Sequence, residues 1–242
     1  LLNLSNDDFI RTTDEKRHWT ACQKLWKKME AAGDIYKKEY EGMYCTGCER
    51  FMTERDLEGG ECALHKRAPE LLKEENYFFR LSKYSDRIVK LLETNELRIV
   101  PEFRKHEILN LAKEGLRDIS FSRPRSVLPW GVPVPGDDTQ MMYVWCDALT
   151  NYISAIDYTK EGKLFKKFWP ADLHVIGKDI VRFHAGIWIG MLLSAGVKLP
   201  KAEFVHGFIT HNGEKMSKTL GNVVDPHAVI AEYGIDPLRY YL

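Results

Sequence analysis

The sequence has no excess of charge of either sign, because 35 lysines and arginines are balanced by 35 aspartates and glutamates. A basic field over the whole chain is therefore excluded, and any nucleic-acid contact has to use local patches. No apolar run approaches the roughly 20 residues that cross a bilayer, and no signal peptide is visible. We expect a protein that has no membrane partner and works in the cytoplasm, or in an organelle.

Cysteine is also scarce, with five in 242 residues, three of them clustered. Such a count does not suggest a disulfide framework and is typical of a reducing compartment. "CTGC" at 45–48 and "CALH" at 62–65 give the spacing C-x2-C-x13-C-x2-H. Each short pair can direct two ligands to one metal ion, and Gly47 permits the tight turn. The alternative is a set of unrelated reduced thiols.

Three thiolates and one imidazole form a closed tetrahedral zinc site, which is usually structural. We therefore predict a structural Zn2+ bound by Cys45, Cys48, Cys62 and His65. Cys22 and Cys146 have no such partners and are predicted to be buried packing residues.

The first half of the chain has mixed patterns. Thr12 and Glu15 have the spacing of a capping box, and apolar residues at helical period follow until Gly33. Residues 41–67 are rich in Cys, Gly and charge, which indicates a small loop-dominated unit. Residues 75–117 are predicted to be mainly helical. With 44% hydrophobic residues the chain can bury a core of one or two domains.

The second half alternates between strands and helices. "DISFSR", "MMYVWCD", "DLHVIG" and "EFVHGFIT" are predicted strands, and "KDIVRFHAGIWIGMLLSAG" is a predicted helix. This alternation favours a parallel sheet covered on both faces, which binds ligands at the carboxyl ends of its strands. Asp225-Pro226 and Asp236-Pro237 are each predicted to start a helix.

A polar loop, "NGEKMSKTLGN" at 212–222, follows the last of these strands. Two flexible ammonium groups, Lys215 and Lys218, could reach separate oxygens of one triphosphate and stabilise charge at an attacked phosphorus. Ser217 and Thr219 add hydroxyl donors. On spacing alone, however, K-x-x-K is typical of solvated surface.

Longer motifs resolve this ambiguity. "FIRTTDEKRH", "GDIYKKEYEGMYC", "EENYFFRLSKY", "VWCDALTNY", "WPADLHVIGKDIVRFHA" and "KMSKTLGNVVDP", together with the cysteine pairs, resemble the methionyl-tRNA synthetases, a family of class I aminoacyl-tRNA synthetases. Thr219 replaces the final serine of the family's KMSKS loop and keeps the hydroxyl. The resemblance implies a partial Rossmann-type parallel sheet of the α/β class, an inserted zinc-knuckle connective domain and the start of a helical region.

The resemblance also implies a division of the chain. Residues 1–33 would end the first half of the catalytic domain, and 34–117 would be the insertion, with its zinc knuckle at 41–67. Residues 118–210 would be the second catalytic half. Residues 211–242 would hold the KMSKS loop and begin the helical region that contacts the tRNA stem.

The family joins L-methionine to ATP, which acts with Mg2+, and passes the methionyl group to tRNA(Met). By resemblance the following residues line the methionine side-chain pocket: Trp145, Ala148, Leu149, Tyr152, Ile180, His184 and Trp188. Their spacing alone is typical of plain helix core. Aromatic walls suit a polarisable thioether, and His184 is expected to offer the sulfur a weak donor.

The resemblance further implies an ATP site. Its expected residues are Gly177, Lys178, Asp179, Gly207, Ile209, Lys215, Met216, Ser217 and Lys218. Lys215 and Lys218 would be catalytic, stabilising the pentavalent phosphorus and the leaving pyrophosphate. Because the carboxylate of methionine attacks the α-phosphorus directly, positioning and charge stabilisation are all the reaction needs.

The family's H-x-G-H motif is not found in the sequence, since "HAGI" and "HNGE" both fail at the fourth position. We expect it upstream of Leu1, and an anticodon-reading helical domain after Leu242. The chain alone is accordingly expected to be a fragment that gives no methionine-dependent ATP–pyrophosphate exchange.

The sequence is also compatible with two other hypotheses. The chain could belong to another class I synthetase of the same subgroup, although an insertion of about 90 residues leaves no room for a large editing domain. It could also be a non-enzymatic, zinc-containing RNA-binding paralogue, which an upstream H-x-G-H motif would argue against. The sequence does not distinguish a monomer from a homodimer.

Overall fold

A computed structural model describes residues 2–48, 50–53, 56–216 and 222–242. The chain enters its first helix through a π-helical turn, Glu15–Trp19, which continues into α1, Thr20–Ala31. The cap is Asp14, whose carboxylate accepts from the backbone N–H groups of Lys16 and Arg17. The Thr12 capping box is therefore wrong, because Asp14 stands closer to the free N–H groups of the first turn. Gly33, with φ of 73°, follows the helix end as expected.

A long antiparallel ribbon follows. It consists of β1, Ile35–Cys45, and β5, Glu70–Phe79, paired from Ile35↔Phe79 to Tyr44↔Glu70. Short strands β2, Arg50–Phe51, and β7, Ile119–Ser120, flank it. The outer end of the ribbon carries the cysteine-rich unit, which contains the hairpin of β3, Leu57–Glu58, and β4, Glu61–Cys62. The expected loop-dominated unit is thus the tip of a ribbon.

Residues 75–117 are only partly helical. The predicted helices are α2, Ser85–Glu93, and α3, Glu102–Lys113. Between them runs an unpredicted strand β6, Arg98–Val100, and residues 75–79 belong to β5. Three residues are too few to show a period of two, so their partner strand decides their conformation.

A second antiparallel sheet lies next along the chain. Its strands are β8, Ser122–Pro124, β9, Pro133–Val134, and β10, Asp137–Met142, and their order in the sheet is β8-β10-β9. β10 ends at Met142, so the predicted strand "MMYVWCD" is wrong in its second half. The last residues of that predicted segment instead begin helix α4, Val144–Leu149. Two short helices follow, α5, Asn151–Ser154, and α6, Lys163–Phe168.

The expected parallel sheet is present. β11, His174–Gly177, and β12, Ala202–His206, pair in parallel, and β12 pairs in parallel with β6 to give the order β11-β12-β6. β11 runs at Gly177 directly into a helical segment of residues 178–194, which begins with a short turn, Lys178–Ile180, and ends in α7, Ile189–Ser194. The predicted strand "EFVHGFIT" ends earlier than expected, at His206.

Two short strands and two helices close the chain. β13, Thr210–His211, and β14, Glu214–Lys215, form a hairpin, and α8, Pro226–Tyr233, and α9, Ile235–Tyr241, follow. Asp225 caps α8 by accepting from the His227 N–H at 2.9 Å, as predicted. The second predicted start is wrong, because α9 begins at Ile235 after Gly234, whose φ is 89°.

One large apolar core joins α1, the base of the ribbon, and the helices around the parallel sheet. Trp26 of α1 lies fully buried, 6.4 Å from Phe121 and 5.7 Å from Tyr77 between ring centroids. Each such side chain contributes about 2–3 kcal/mol by its burial. At Gly190 a Cβ would lie 2.6 Å from a methyl of Leu81, so glycine allows α7 to pack closely against the segment after β5.

Among the described residues, no helix combines the length and apolar character that crossing a bilayer requires.

Candidate functional site

The carboxyl ends of β11 and β12 lie side by side, since Gly177 and His206 are register partners. Gly177 is in contact with the next turn: a Cβ there would lie 2.9 Å from the Asp179 carboxylate. Lys178 extends towards the loop after β12, with its Nζ 4.3 Å from the centroid of Phe208. The predicted residues of this turn therefore meet the 207–209 segment at one edge of the sheet.

The lysine loop begins from a tight hairpin. Asn212 and Gly213 have φ of 52° and 81°, the pair of positive values that a two-residue hairpin turn needs. Lys215 ends β14, and Met216 follows half-buried. Ser217 and Lys218, which were also predicted to bind ATP, lie outside the described residues.

Most of the predicted methionine-pocket residues converge. Trp145 of α4, Tyr152 of α5, and His184 and Trp188 of the 178–194 helix form one aromatic cluster. The ring centroids of Tyr152 lie 5.5 Å from His184 and 6.1 Å from Trp188, and Trp145 lies 6.2 Å from His184. Leu149 is buried in the main apolar core, and Ile180 packs against that core. Ala148 is half-buried on α4.

Hydrogen bonds fix the tautomer of His184. Its Nδ1 lies 2.9 Å from the Ile180 carbonyl, which can only accept, so Nδ1 carries the proton. Its Nε2, 2.7 Å from the Tyr152 hydroxyl, therefore accepts from Tyr152. Burial lowers the pKa of His184, against the opposing effect of the Ile180 carbonyl, so the ring stays neutral near pH 7. The expected N–H donor from His184 to a thioether is wrong, because neither ring nitrogen has a proton to spare.

Two further aromatic residues belong to this cluster and were not predicted. Phe183 stacks on Trp145 with centroids 4.0 Å apart and planes at 8°. His174 of β11 stacks on Tyr152 at 4.1 Å and 18°. Phe183 directly precedes the predicted His184, whereas His174 lies three residues before the predicted Gly177. Only the three-dimensional packing shows which ring of the cluster each of them covers.

Glu203 of β12 lies next to this cluster. It is the register partner of His174, is fully buried, and neither carboxylate oxygen has a hydrogen-bond partner within the described part of the chain. Burial raises the pKa of Glu203 to about 8 and lowers the pKa of His174 to about 4. Burial, with help from Glu203, also raises the pKa of Tyr152 to about 12. Burial therefore keeps Glu203, His174 and Tyr152 uncharged near pH 7.

The raised pKa of Glu203 gives a test. Between its ordinary pKa of 4.5 and about 8, the folded state keeps a proton that the unfolded state releases, so stability falls as pH rises through this range. We expect Glu203→Gln to raise the free energy of unfolding by on the order of 3 kcal/mol at pH 8, and by much less at pH 5. Urea unfolding at the two pH values measures this. Glu107→Gln, at an exposed position, is the control, and equal gains at both pH values would contradict a buried, protonated Glu203.

The cysteine-rich tip forms a second site. Cys45, Cys48, Cys62 and His65 bring their ligand atoms within 4.8 Å of one another. The Cys48 and Cys62 sulfurs are 3.5 Å apart, and His65 Nδ1 lies 3.2 Å from the Cys48 sulfur and 3.8 Å from that of Cys45. Neighbouring ligands on tetrahedral zinc are separated by about 3.5–3.8 Å, so this donor set fits Zn2+.

Local geometry favours a thiolate at Cys62, whereas burial and the neighbouring sulfurs of Cys62 and Cys45 raise the pKa of Cys48 to about 12. Although burial opposes the Cys62 thiolate, hydrogen bonds from His65 and from the backbone N–H of Leu64 lower the pKa of Cys62 to about 6. Gly47 is required for space rather than for a positive φ: a Cβ there would lie 2.7 Å from the His65 ring. From the sequence alone, Gly47 is explained by the tight turn between the two cysteines. The structure shows instead that glycine is needed there because the His65 ring lies so close to its backbone.

Comparison with known proteins places this geometry in a family. The family model described as tRNA synthetases class I (M) matches residues 1–63 and 54–242. The methionine–tRNA ligase of Clostridium acetobutylicum is 51% identical over 244 residues, which cover 100% of this chain and 37% of the relative. That of Mesorhizobium japonicum is 49% identical, over 98% of this chain and 46% of the relative.

Solved structures agree. The methionyl-tRNA synthetase of Mycobacterium tuberculosis, bound by methionyl-adenylate, superposes with a TM-score of 0.91 at 44% identity, over 99% of this chain and 48% of that one. The chain thus spans less than half the length of these relatives. Its fold is that of a class I synthetase, with the parallel sheet and the cysteine cluster that the motifs implied. The chain belongs to the class I tRNA synthetases of the methionyl (M) family.

Proposed function

We propose that this chain supplies the second catalytic half, the zinc-bearing insertion and the KMSKS loop of a methionyl-tRNA synthetase. That enzyme activates L-methionine with ATP to methionyl-adenylate and transfers the methionyl group to tRNA(Met). The observation that carries the proposal is the aromatic enclosure of Trp145, Tyr152, His184 and Trp188. This enclosure occurs in a chain whose structure matches, with a TM-score of 0.91, that of a protein solved with bound methionyl-adenylate.

The enclosure suits a methionine side chain for a stated reason. A thioether is polarisable, gains from contact with aromatic rings about 5 Å away, and needs no strong donor. Since His184 has no free N–H, it acts by accepting from Tyr152 and holding that ring in place. Isoleucine or valine would gain less from this enclosure, because their branched side chains lack the sulfur.

ATP would bind across the carboxyl ends of β11 and β12. Gly177 permits close approach of a nucleotide, Asp179 can accept from ribose hydroxyls, and the 207–209 backbone would face the base. Lys178, which follows β11, reaches the segment after β12, with its Nζ 4.3 Å from the centroid of the Phe208 ring. Lys215 and Lys218 would stabilise the charge that grows on the α-phosphorus and on pyrophosphate, with Mg2+ accompanying the nucleotide.

The zinc ion would be structural. Four protein ligands leave no open position for a substrate, and the small apolar cluster of Cys45, Met52 and Cys62 is separate from the main core. A bound Zn2+ would then supply much of the local folding energy of the tip. The relatives are bacterial proteins, which supports the cytoplasm as the place of action.

The activity can be tested in a complete enzyme. The aligned 244-residue segment of the Clostridium acetobutylicum ligase is exchanged for this sequence, and methionine-dependent ATP–pyrophosphate exchange is measured. We expect robust exchange, and a loss of about 10²–10³-fold in kcat for Lys218→Ala, because one transition-state contact is removed.

Lys201→Ala is the matched control. This lysine precedes β12 at the amino end of the strand, opposite the proposed ATP edge, and pairs with Asp172. It should leave exchange unchanged. An inactive hybrid that folds and retains zinc, or equal losses for both lysines, would contradict the proposed function.

A further inference from the structure

His18 is a fully buried histidine outside the aromatic cluster. It lies in the π-helical turn before α1, and its ring reaches two other helices. Nε2 lies 2.5 Å from Asp147 Oδ1 of α4, and Nδ1 lies 2.8 Å from Ser154 Oγ of α5. Both ring nitrogens are thus satisfied by residues more than 120 positions away in the chain.

These contacts are hydrogen bonds rather than a second metal site. The Cys22 sulfur is 3.3 Å from His18 Nε2, so cysteine, histidine and aspartate do come together. Ligand atoms on one tetrahedral zinc, however, are about 3.3 Å apart when they are nitrogen and oxygen, which exceeds the observed 2.5 Å. Since a carboxylate only accepts, Nε2 carries a proton and donates a hydrogen bond to Asp147. The Ser154 hydroxyl can either donate a hydrogen bond to Nδ1 or accept one from it.

The two partners lie on the back of the helices that form the pocket. Successive helical residues turn by about 100°, so Asp147 and Trp145, two positions apart, face opposite directions, as do Ser154 and Tyr152. His18 therefore binds the α4–α5 pair from one side. On the other side Trp145 and Tyr152 contact the 178–194 helix through Phe183 and His184.

A neighbouring contact adds to this attachment. Arg17 donates from Nη2 to the Ala155 carbonyl at 2.9 Å, at the end of α5. Arg17 is exposed and also pairs with Asp8, so its contribution is small. His18, being buried and bonded at both nitrogens, has the geometry to fix the rotation of both helices.

We propose that His18 is a positioning residue for the methionine pocket: by donating to Asp147 and bonding to Ser154, it sets where Trp145 and Tyr152 present their rings. The proposal rests on the proposed function for its substrate, but its structural part concerns this chain alone. His18 does not touch the substrate and acts through α4 and α5.

Fluorine NMR of the chain labelled with 5-fluorotryptophan tests the structural part. The Trp145 resonance is assigned by its loss in Trp145→Phe. We expect His18→Phe, which keeps the ring but has no nitrogens, and Asp147→Ala to shift the Trp145 signal. Asp147→Asn should restore the original position, because an amide oxygen still accepts from Nε2. The exposed Trp130 reports on general disturbance and should not move.

The kinetic part uses the hybrid enzyme. His18→Phe and Asp147→Ala should raise the KM for methionine roughly tenfold while the KM for ATP changes less than about twofold. Asp147→Asn should again be close to the parent. If His18→Phe does not fold, the alanine and asparagine variants of Asp147 still make the comparison.

Three results would overturn the proposal. One is an unmoved Trp145 signal in Asp147→Ala. Another is a shifted signal with an unchanged KM for methionine. The third is a second zinc ion per chain that Asp147→Ala removes, since the cluster would then be a metal site. Failure of the proposed function is distinguishable, because the parent hybrid itself would then show no methionine-dependent exchange.

Discussion

Replacing Cys62 by serine is expected to reduce bound zinc from about one ion per chain to below about one tenth. Cys62 is fully buried, and its sulfur lies 3.5 Å from that of Cys48 and 3.7 Å from His65 Nδ1. A hydroxyl is a poor zinc ligand, and the remaining three donors form an open site. Elemental analysis of the purified chain gives the stoichiometry.

The same substitution should have a local effect on folding. Amide hydrogen exchange is expected to speed up at the tip, residues 45–65, and to stay unchanged in α1 and α7, because the tip has its own small core. Cys146→Ala is the control, since Cys146 is equally buried but lies in the main core. Full zinc content in Cys62→Ser, or an equal loss in Cys146→Ala, would contradict the assigned ligands.

Asp34→Ala is expected to lower the free energy of unfolding by about 3 kcal/mol. Asp34 is fully buried where α1 leads into β1. Lys83 Nζ donates to it at 2.7 Å, Ser194 Oγ at 2.7 Å, and the Tyr84 hydroxyl also donates. The carboxylate thereby ties the base of the ribbon to the end of α7, and alanine would leave Tyr84 and Ser194 without their acceptor.

The effect of Asp34 should depend on pH. Burial raises the pKa of Asp34, but the hydrogen bonds from Lys83, Tyr84 and Ser194 outweigh it and hold that pKa below its ordinary 3.8. The stabilisation is therefore present above pH 3.8 and lost as pH falls through the lower, folded-state value. Urea unfolding of both proteins at pH 7 and pH 3 should show the difference shrinking at the lower pH.

Asp172→Ala is the matched control for Asp34→Ala. Asp172 pairs with Lys201 at 2.6 Å, so the contact is of similar length, but both side chains are well exposed. An exposed pair contributes about 0–1 kcal/mol. A loss at Asp172 as large as that at Asp34 would contradict the importance of burial.

The sequence allowed the features that depend on local spacing to be predicted. The paired cysteines with His65, the strand that turns at Gly177 into a helix, and the Asp225 cap are each contained in a short stretch. Their structures follow from turn and capping chemistry among neighbouring residues. The residues proposed for the methionine pocket needed the family resemblance, since their spacing equals that of ordinary helix core.

Features decided by long-range contact could not be predicted. β6 has three residues and becomes a strand because β12 lies beside it. Asp34 bonds to Ser194, 160 positions away, and His18 bonds to Asp147, 129 positions away. The donor state of His184 was wrongly expected for the same reason: the Tyr152 hydroxyl that occupies its second nitrogen comes from another helix.

We propose that the aromatic cluster of this chain encloses the side chain of methionine. Crystals of the hybrid enzyme with L-selenomethionine test it directly, because selenium gives an anomalous signal that locates the ligand atom. We expect one peak about 5 Å from the rings of Tyr152 and Trp188, next to His184. A selenium peak elsewhere, or none in crystals whose enzyme is active with selenomethionine, would contradict methionine binding in this cluster.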